Sequence, residues 1–486
     1  MSKAVTNEKT TKQNTITTRA EDYAQWYLDV IAAADLAEHS PVKGCMVIKP
    51  NGYAIWERIQ QLLDGRFKST GVRNAYFPLF IPERFLKREG EHIEGFAPEV
   101  AVVTQAGGKK LEEPLIVRPT SETIMYETFH NWIHSYRDLP LLINQWSNAV
   151  RWELRTRLFL RTTEFLWQEG HTVHETEGEA DERARQMLEI YREVAEKEMA
   201  MPVVTGVKSE SEKFAGALRT YSVEAMMQDG KALQLATSHN LGQNFSKPFK
   251  IQFLDRSNKL QYGWQTSWGL STRSIGGLIM THSDDRGLIL PPRIAPLQVV
   301  ITTIYSSKPD QSATSRAAEK LKMSLAEKSI RAQVDERDLR PGEKFFTWEK
   351  QGIPVRIELG PKDVQAQEAV IVRRDTGAKT KAAFHGLADV VDKLLTTIQA
   401  DLYHRALAFR QERTISTDSW KTFTAAIAAG KFVEAYWSEE GDIEAQIKRE
   451  TNATIRCISI DGQTRPGKCV KTGRPASRKG IFAQSY

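Results

Sequence analysis

The stretch Ala149–Glu175, AVRWELRTRLFLRTTEFLWQEGHTVHE, gathers arginines, carboxylates, aromatics and two histidines within one short span. Read as a strand, Val150–Arg155 puts Arg151, Glu153 and Arg155 on one face and Val150, Trp152 and Leu154 on the other. Thr156–Arg161 is then a basic loop, and on the returning strand Phe165, Trp167, Glu169 and His171 share a face. Arg151 would offer a planar fork to a phosphate and a carboxylate at once, and the loop arginines would grip outer phosphates. A surface hairpin with cross-strand ion pairs, stabilising by a few tenths to ~1 kcal/mol, would use the same residues. The hairpin alone does not decide between the two. His171 and His174, three apart on a strand, point to opposite faces, so chelation by both needs a bend and no metal is expected.

Three further segments carry polar groups where chemistry could use them. In Arg118–Glu122, RPTSE, Thr120 or Ser121 could cap the next helix, or a hydroxyl and the Glu122 carboxylate could hold an ammonium group. In Gln234–Asn244, QLATSHNLGQN, Gln234, Thr237 and His239 cluster around a break, which a plain turn would also explain. In Trp264–Gly277, WQTSWGLSTRSIGG, Arg273 precedes Gly276 and Gly277, and the glycines suggest close backbone approach to a ligand. Gly107–Gly108 reads as a hairpin turn. Lys322–Leu325, KMSL, lies within an amphipathic helix. The HIGH motif of class I synthetases is missing (Glu91–Gly95 is EHIEG), and no GxGxxG-like signature exists, so a class I synthetase is excluded.

These residues need a scaffold, and 486 residues allow about three domains of ~150 residues each. Helical stripes occur at Tyr53–Leu63 (Ile55, Ile59, Leu62, Leu63) and Ala184–Val194 (Met187, Leu188, Tyr191, Val194). Runs with two-residue alternation between them, without a regular βα repeat, indicate an α+β domain with an antiparallel sheet over 21–294. Three prolines in Leu290–Pro296 mark its end. Strands at Leu297–Tyr305, Val355–Leu359 and Ala369–Val372 and a helix at Ala317–Lys328 then describe an α/β domain over 295–402. The remainder, 403–486, forms a third unit with helices at Arg405–Glu412 and Ile443–Glu450. Residues 1–20 read as a disordered N-terminal tail with neither a signal-peptide core nor an Arg-rich face.

Composition is that of an ordinary soluble protein, 41% hydrophobic and 26% charged, with no run near the ~20 apolar residues a membrane helix needs. Three cysteines (Cys45, Cys457, Cys469) make no even framework, which fits a reducing cytosol and a cytoplasmic protein. The net charge of +6 is modest. However, Gly462–Tyr486 holds no acidic residue while Arg465, Lys468, Lys471, Arg474, Arg478 and Lys479 are all cationic, suiting either a polyanion partner or a solvated tail.

Together these segments resemble the prolyl-tRNA synthetases of archaeal/eukaryotic type, from about Tyr23 to Tyr486. Cys45–Glu57, CMVIKPNGYAIWE, and Asn74–Glu83, NAYFPLFIPE, resemble motif 1 of class II synthetases and its approach, with Pro78 at the motif's proline. Arg151 to His171 resembles motif 2, and Trp268–Gly277 motif 3. The resemblance implies ATP-dependent activation of L-proline and its transfer to proline tRNA, with Mg²⁺, on a homodimer that joins through the motif 1 region. The implied fold is a six-stranded antiparallel sheet with helices, an α/β anticodon-binding domain and a small C-terminal α+β domain.

Carried over by motif, Thr120 and Glu122 match positions that hold the proline nitrogen. Trp167, Glu169, His171 and Phe214 match the walls of the proline pocket, with His239 at its edge. Arg151 matches the arginine on the carboxylate and α-phosphate. Glu153, Arg161, Thr162, Gln234 and Thr237 match further ATP contacts, and Ser271 and Arg273 the motif 3 positions, with Arg273 on the γ-phosphate. Asp335–Asp363 resembles the anticodon module, where Arg337, Lys344, Lys350, Arg356 and Glu358 are the candidate contacts. The terminal IFAQSY resembles a family ending whose last carboxylate, here of Tyr486, reaches toward the active site.

Two departures stand out. Many relatives hold a structural zinc on two cysteine pairs. Here Cys469 faces Thr472 where a partner cysteine is expected, and the earlier pair is missing near Ala435–Glu444, so no structural zinc is expected. Only 97 positions (268 minus 171) separate His171 from Trp268, leaving no room for a large editing insertion. Nearby alternatives are a class IIa synthetase for threonine, serine or glycine, or a synthetase-like regulatory protein. The first would, for threonine, want a pocket cysteine and zinc. The second would usually show damaged arginines or a truncated anticodon module.

Overall fold

The computed structural model describes residues 16–85, 100–305, 308–460 and 465–486. Eleven strands among them form one main sheet. Across it run Thr414–Ser416, Phe432–Tyr436, Lys479–Ala483, Thr454–Ile458, Val203–Val207, Arg219–Met226, Ala232–Gly242, Trp264–Ser271, Glu164–His174, Leu141–Val150 and Arg73–Asn74. The six strands from Val203–Val207 to Leu141–Val150 are antiparallel throughout. Their alternation sends one set of side chains into a core around Trp26, Trp56, Phe67, Tyr191 and Trp268. A second cluster, with Phe77, Met125, Tyr126, Phe129, Phe245 and Phe249, closes the far end.

The helices form where the apolar spacing requires them. Pro50–Ser69 starts on a proline, whose missing N–H no helix start needs, and buries Ile55, Trp56, Ile59, Leu63 and Phe67 along one stripe. Glu177–Glu193 opens with a capping box between Thr176 and Glu179 and buries Ala180, Ala184, Met187, Leu188 and Tyr191. Lys109–Val117 pairs back on Val102–Ala106 across Gly107–Gly108, both at positive φ, as the hairpin reading requires.

The second domain carries a five-stranded sheet in the order Ala332–Asp335, Val299–Thr303, Val355–Leu359, Glu368–Arg373, Lys379–Ala383. The first three strands are parallel and the last two antiparallel. Its core joins Ile301, Val355 and Ile357 to Leu321 and Leu325 on the helix Lys308–Glu327.

Several expectations need correction. The strand in Val150–Arg155 ends at Val150, and Arg151–Thr163 is a loop. Its ends are tied by Arg151 N–H donating to the Thr163 carbonyl at 2.8 Å, so the arginines point from a loop and not from a pleat. The helix expected at Arg405–Glu412 is the end of a 26-residue helix, Leu387–Glu412, that runs unbroken through the 402/403 boundary. Leu387, Val391, Leu395, Ile398 and Leu402 bury one stripe along it. The third unit is also not separate in its sheet: Ile458 pairs with Val207, joining its strands to the catalytic sheet. Of the tail, residues 1–15 lie outside the described residues. Ile16 packs on the main core, Thr17 N–H donates to Asp29 at 2.9 Å, and Arg19 pairs with Asp285 at 3.0 Å, so the chain is anchored before Glu21. Among the described residues, no helix is long and apolar enough to cross a membrane.

Candidate active site

Strand register lays the site out in three rungs on one face of the sheet, about 6.7 Å apart along the strands. In the first rung Thr220, His239, Ser267 and His171 are successive partners; in the second, Ser222, Thr237, Gly269, Glu169 and Gln145. In the third, Glu224 faces Gln234 and Ser271 faces Trp167. Gln234 and Thr237 are three apart and would point to opposite faces of a regular strand. A bulge at Leu235, where Val223 pairs with Ala236 and Glu224 with Gln234, turns both to the same side.

Above these rungs lies a cavity of about 490 Å³, within the ~300–1,000 Å³ usual for small-molecule sites. Thr120, Glu122, Arg151, Glu153, Arg161, Thr162, Trp167, Glu169, His171, Phe214, Gln234, Thr237, His239, Ser271 and Arg273 all line it. Thus every residue matched to proline or ATP faces one space. Phe159, Leu160, Glu212, Thr220 and Ser267 line it as well and were not singled out in the sequence. Strand alternation back from Ser271 could have found Ser267, whereas Thr220 enters only as the cross-strand partner of His239. No local pattern marks Phe159, a loop residue with φ of +62°.

At the first-rung end the hydroxyls cap no helix. Ser121 occupies the N-cap position without a side-chain cap bond. Instead Thr120 Oγ1 donates to the Glu122 carboxylate and Ser121 Oγ to Glu169. Gln145 Nε2 also donates to Glu169, at 3.0 Å, and His171 Nε2 lies 3.3 Å from its other oxygen. Burial alone would raise the Glu169 pKa. The hydrogen bond and charge of His171, with Ser121 and Gln145, outweigh that and hold the carboxyl below its ordinary value. His171 Nδ1 is 3.0 Å from the Tyr126 hydroxyl, which fixes the ring. His239 Nδ1 is 2.9 Å from Thr220 Oγ1, with the Phe214 ring 4.8 Å away. Burial, and secondarily the neighbouring His171, pushes its pKa down to about 3, so the imidazole is neutral. The result is a small aromatic-walled space bordered by two carboxylates.

The opposite end is cationic. Arg151 donates from Nε to the Pro119 carbonyl at 3.0 Å and lies over Phe165 and Trp167 at 5.4 and 5.5 Å, leaving its two terminal nitrogens for a ligand. Arg273 donates from Nε to the Leu160 carbonyl at 3.1 Å. Its pKa is lowered first by burial and then by the charges of Arg151 and Arg161. Glu153 pairs with Arg161 at 3.3 Å. Guanidiniums that repel one another around one space make that space ready for a polyanion. The glycines after Arg273 approach protein and not ligand: a Cβ on Gly276 would lie 2.4 Å from Leu160 and 2.8 Å from the Tyr27 hydroxyl, and one on Gly277 2.9 Å from Leu233. Gly276 therefore lets the Arg151–Thr163 loop sit down on the helix Arg273–His282, and Gly277 lets that helix pack on the strand Ala232–Gly242.

The remaining candidates are less uniform. Lys344 is 1% exposed and its ammonium donates inward to the carbonyls of Thr303 and Asp335, so it cannot reach a base. Glu358 is buried and paired with Arg356 and Lys379 at 2.9 and 3.2 Å. Arg337 is exposed and forks onto Asp335. Arg356 stacks over Phe345 and, with Lys379 and Trp348, lines a cleft of about 190 Å³. Lys350 is half-buried at the end of the helix Pro341–Lys350. Tyr486 docks by its hydroxyl on Asp229 at 2.7 Å, with Arg157 of the loop over its ring. Cys457 is buried, which pushes its thiol up to about 12. Cys469, also buried, sits in a turn where hydroxyl and backbone donors of Thr472 hold its pKa below the ordinary value despite burial.

Comparison with known proteins gives a consistent picture. Residues 104–282 match the class II core domain of tRNA synthetases (G, H, P, S and T), 298–394 an anticodon binding domain, and 420–486 the C-terminal domain of prolyl-tRNA synthetase. The chain is 55% identical over 480 residues to a proline--tRNA ligase of Prosthecochloris aestuarii, covering 97% of this chain and 99% of that one. It is 53% identical over 486 residues to the proline--tRNA ligase of Porphyromonas gingivalis, with the same coverages. The crystal structure of the Cryptosporidium parvum prolyl-tRNA synthetase complexed with halofuginone and AMPPNP superposes with a TM-score of 0.92 at 39% identity, over 98% of this chain and 97% of that one.

Proposed function

This chain belongs to the prolyl-tRNA synthetases, and from that premise we propose how its cavity divides the work. The enzyme activates proline with ATP and charges tRNA with it. Proline would sit at the first-rung end, its nitrogen against Thr120 and Glu122 and its ring between Trp167, Phe214 and His171, with Glu169 below and His239 at the edge. Its carboxylate would face Arg151. The nucleotide would lie along the third rung, with Gln234, Thr237, Glu153, Arg161, Thr162 and Ser271 around it and Arg273 on the γ-phosphate.

In the first step a proline carboxylate oxygen attacks the α-phosphorus in line; that P–O bond forms as the bond to the β-phosphate oxygen breaks, and pyrophosphate leaves. Arg151 and Arg273 stabilise the charge that develops, without covalent chemistry. In the second step a hydroxyl of the tRNA's terminal adenosine attacks the adenylate carbonyl and AMP leaves. Mg²⁺ would arrive with the triphosphate and neutralise part of its charge. Glu153, which lines the cavity beside Arg161, would be the carboxylate to hold it, and a hard ion held largely by phosphates needs no dedicated protein cage.

The observation that carries this reading is the opposition across one cavity of a carboxylate-lined aromatic space and three converging guanidiniums. ATP–pyrophosphate exchange over a panel of amino acids tests it. Proline should support exchange at the lowest concentration; faster exchange with threonine, serine or glycine would overturn it.

A homodimer in the cytoplasm fits the same reading. Tyr76, 70% exposed, and Phe80, 45% exposed, flank Pro78 in the motif 1 segment and offer an apolar surface to a second copy. The domains would be catalytic to residue 294, anticodon-binding to 402 and C-terminal beyond, with Arg337, Lys350 and Arg356, joined by the exposed Lys379, the cations offered to the anticodon. No structural zinc is expected in the C-terminal domain, since a tetrahedral site needs four nitrogen or sulfur ligands.

A further inference from the structure

A charged cluster lies buried where the C-terminal domain joins the catalytic sheet. Glu224 is 0% exposed, with Lys208 3% and Arg456 8% exposed around it. Lys208 Nζ donates to Oε1 at 2.7 Å, and Arg456 reaches both carboxylate oxygens, from Nε and Nη2 to Oε2 at 3.0 and 2.9 Å and from Nη2 to Oε1 at 3.2 Å. Ser222 Oγ adds a bond at 3.1 Å. Arg456 belongs to the strand Thr454–Ile458, and the register shifts at that residue, between Ile455 and Cys457. Such a bulge re-aims a side chain at the expense of regular pairing.

Stability is a poor reason for this arrangement, because buried ion triads are often replaced by apolar residues without loss. Position is a better one. Glu224 is the register partner of Gln234, on the face that carries Thr220, Thr237 and His239 into the cavity. Its charge and that of Arg456 both act on Arg273. The triad sums to +1 (two cations and one carboxylate), and Arg456 supplies one of those cations from the far end of the chain.

We infer that Arg456 is a positioning residue for nucleotide binding. It adds, from the C-terminal domain, a second cation to the Lys208–Glu224 pair, so that the group behind the phosphate end of the cavity is net positive instead of neutral and Glu224 does not compete for Arg273. The inference rests on the reading of the Gln234–Arg273 end as the nucleotide end. Domain docking thereby sets the affinity of the catalytic domain for ATP.

The test is steady-state ATP–pyrophosphate exchange on the full-length enzyme, with ATP and proline varied separately and thermal melts in parallel. Arg456→Met, which leaves Lys208 on Glu224, should raise the KM for ATP roughly tenfold, the effect of one unit charge acting over about 12 Å at an effective dielectric of ~20. The KM for proline should stay within about twofold. Arg456→Lys should restore the ATP value, and so should Glu224→Gln combined with Arg456→Met, which returns the triad to +1. If Arg456→Met does not fold, Lys208→Met removes the same charge and carries the same expectation. Arg273→Ala is the control. If it raises the KM for ATP while Arg456→Met does not, the inference falls and the cavity reading stands. If Arg273→Ala also leaves that KM unchanged, the cavity reading itself falls. Parallel rises in both KM values, or a double variant no better than Arg456→Met, would reduce the triad to structural glue and overturn the inference.

Discussion

Replacing Arg151 separates charge from geometry in the activation step. Its Nε is committed to the Pro119 carbonyl and its plane is held over Phe165 and Trp167, so both terminal nitrogens face the cavity in a fixed orientation. Preorganised donors of this kind are worth roughly 2.7–4 kcal/mol each in a transition state. Arg151→Ala removes two, so proline-dependent exchange should fall by about 10⁴-fold or more. Arg151→Lys keeps a cation but offers a point charge where a fork is needed, and should lose roughly 10²-fold. The fold should tolerate both. Alanine forfeits the bond to Pro119, worth about 1 kcal/mol, and the attraction to Glu122 and Glu169, but relieves repulsion with Arg273. Melting should therefore shift by no more than about 3 °C. Exchange kinetics with proline and ATP varied separately, together with circular-dichroism melts, measure all of this. Near-normal exchange in Arg151→Ala, or equal losses in the alanine and lysine variants, would refute the reasoning.

Three other outcomes are expected. Gly276→Ala should cost ~1–3 kcal/mol of stability and about tenfold or more in kcat/KM, because the new Cβ displaces Leu160, whose carbonyl orients Arg273; wild-type kinetics with a wild-type melt would contradict it. Stability should fall as pH drops from 6.5 toward 4. Burial depresses His174 and His239 to about 3 and His282 to about 4, so the unfolded chain binds protons that the folded one does not, at up to ~1.4 kcal/mol per pH unit per histidine; equal urea midpoints at pH 7 and pH 5 would sink this. Alanine should support measurable exchange at high concentration, since a pocket separates it from proline by only ~1–3 kcal/mol per missing methylene, and steady deacylation of Ala-tRNA by the enzyme alone would contradict the lack of an editing domain.

The site was legible in the sequence wherever a two-residue period carried it. Phe165, Trp167, Glu169 and His171 face the cavity because a strand leaves them no other choice. Strand alternation alone misplaces the motif 2 arginines, since they stand on a loop whose shape depends on distant partners: the Gly44 carbonyl accepts from Thr163 N–H, and the Tyr27 hydroxyl donates to the Leu158 carbonyl. The helix that crosses the 402/403 boundary is hidden in the sequence for a related reason. A composition change is visible in sequence, but a helix whose buried stripe continues across it is a tertiary fact. Lys344 reads as surface charge because nothing local announces that its ammonium satisfies two buried carbonyls.

The same contrast explains why so much of the chain is spent on one loop. Arg151 and Arg161, drawn toward Arg273, would separate in water; each is held near the others only by bonds from elsewhere. Arg157 is fixed between the rings of Tyr27 and Tyr486, at 5.0 and 5.6 Å, so both the helix Tyr23–Ala33 and the C-terminal Tyr486 grip the loop. Leu160 lies against Gly276, and Arg273 is tied to the Leu160 carbonyl, so the loop and the helix Arg273–His282 locate each other. Folding free energy from the core around Trp26, Trp56 and Trp268 thus offsets a repulsion that exists before any substrate arrives. That repulsion is released when a triphosphate enters, which is what makes the bound polyanion worth more here than the same three charges on a flexible surface.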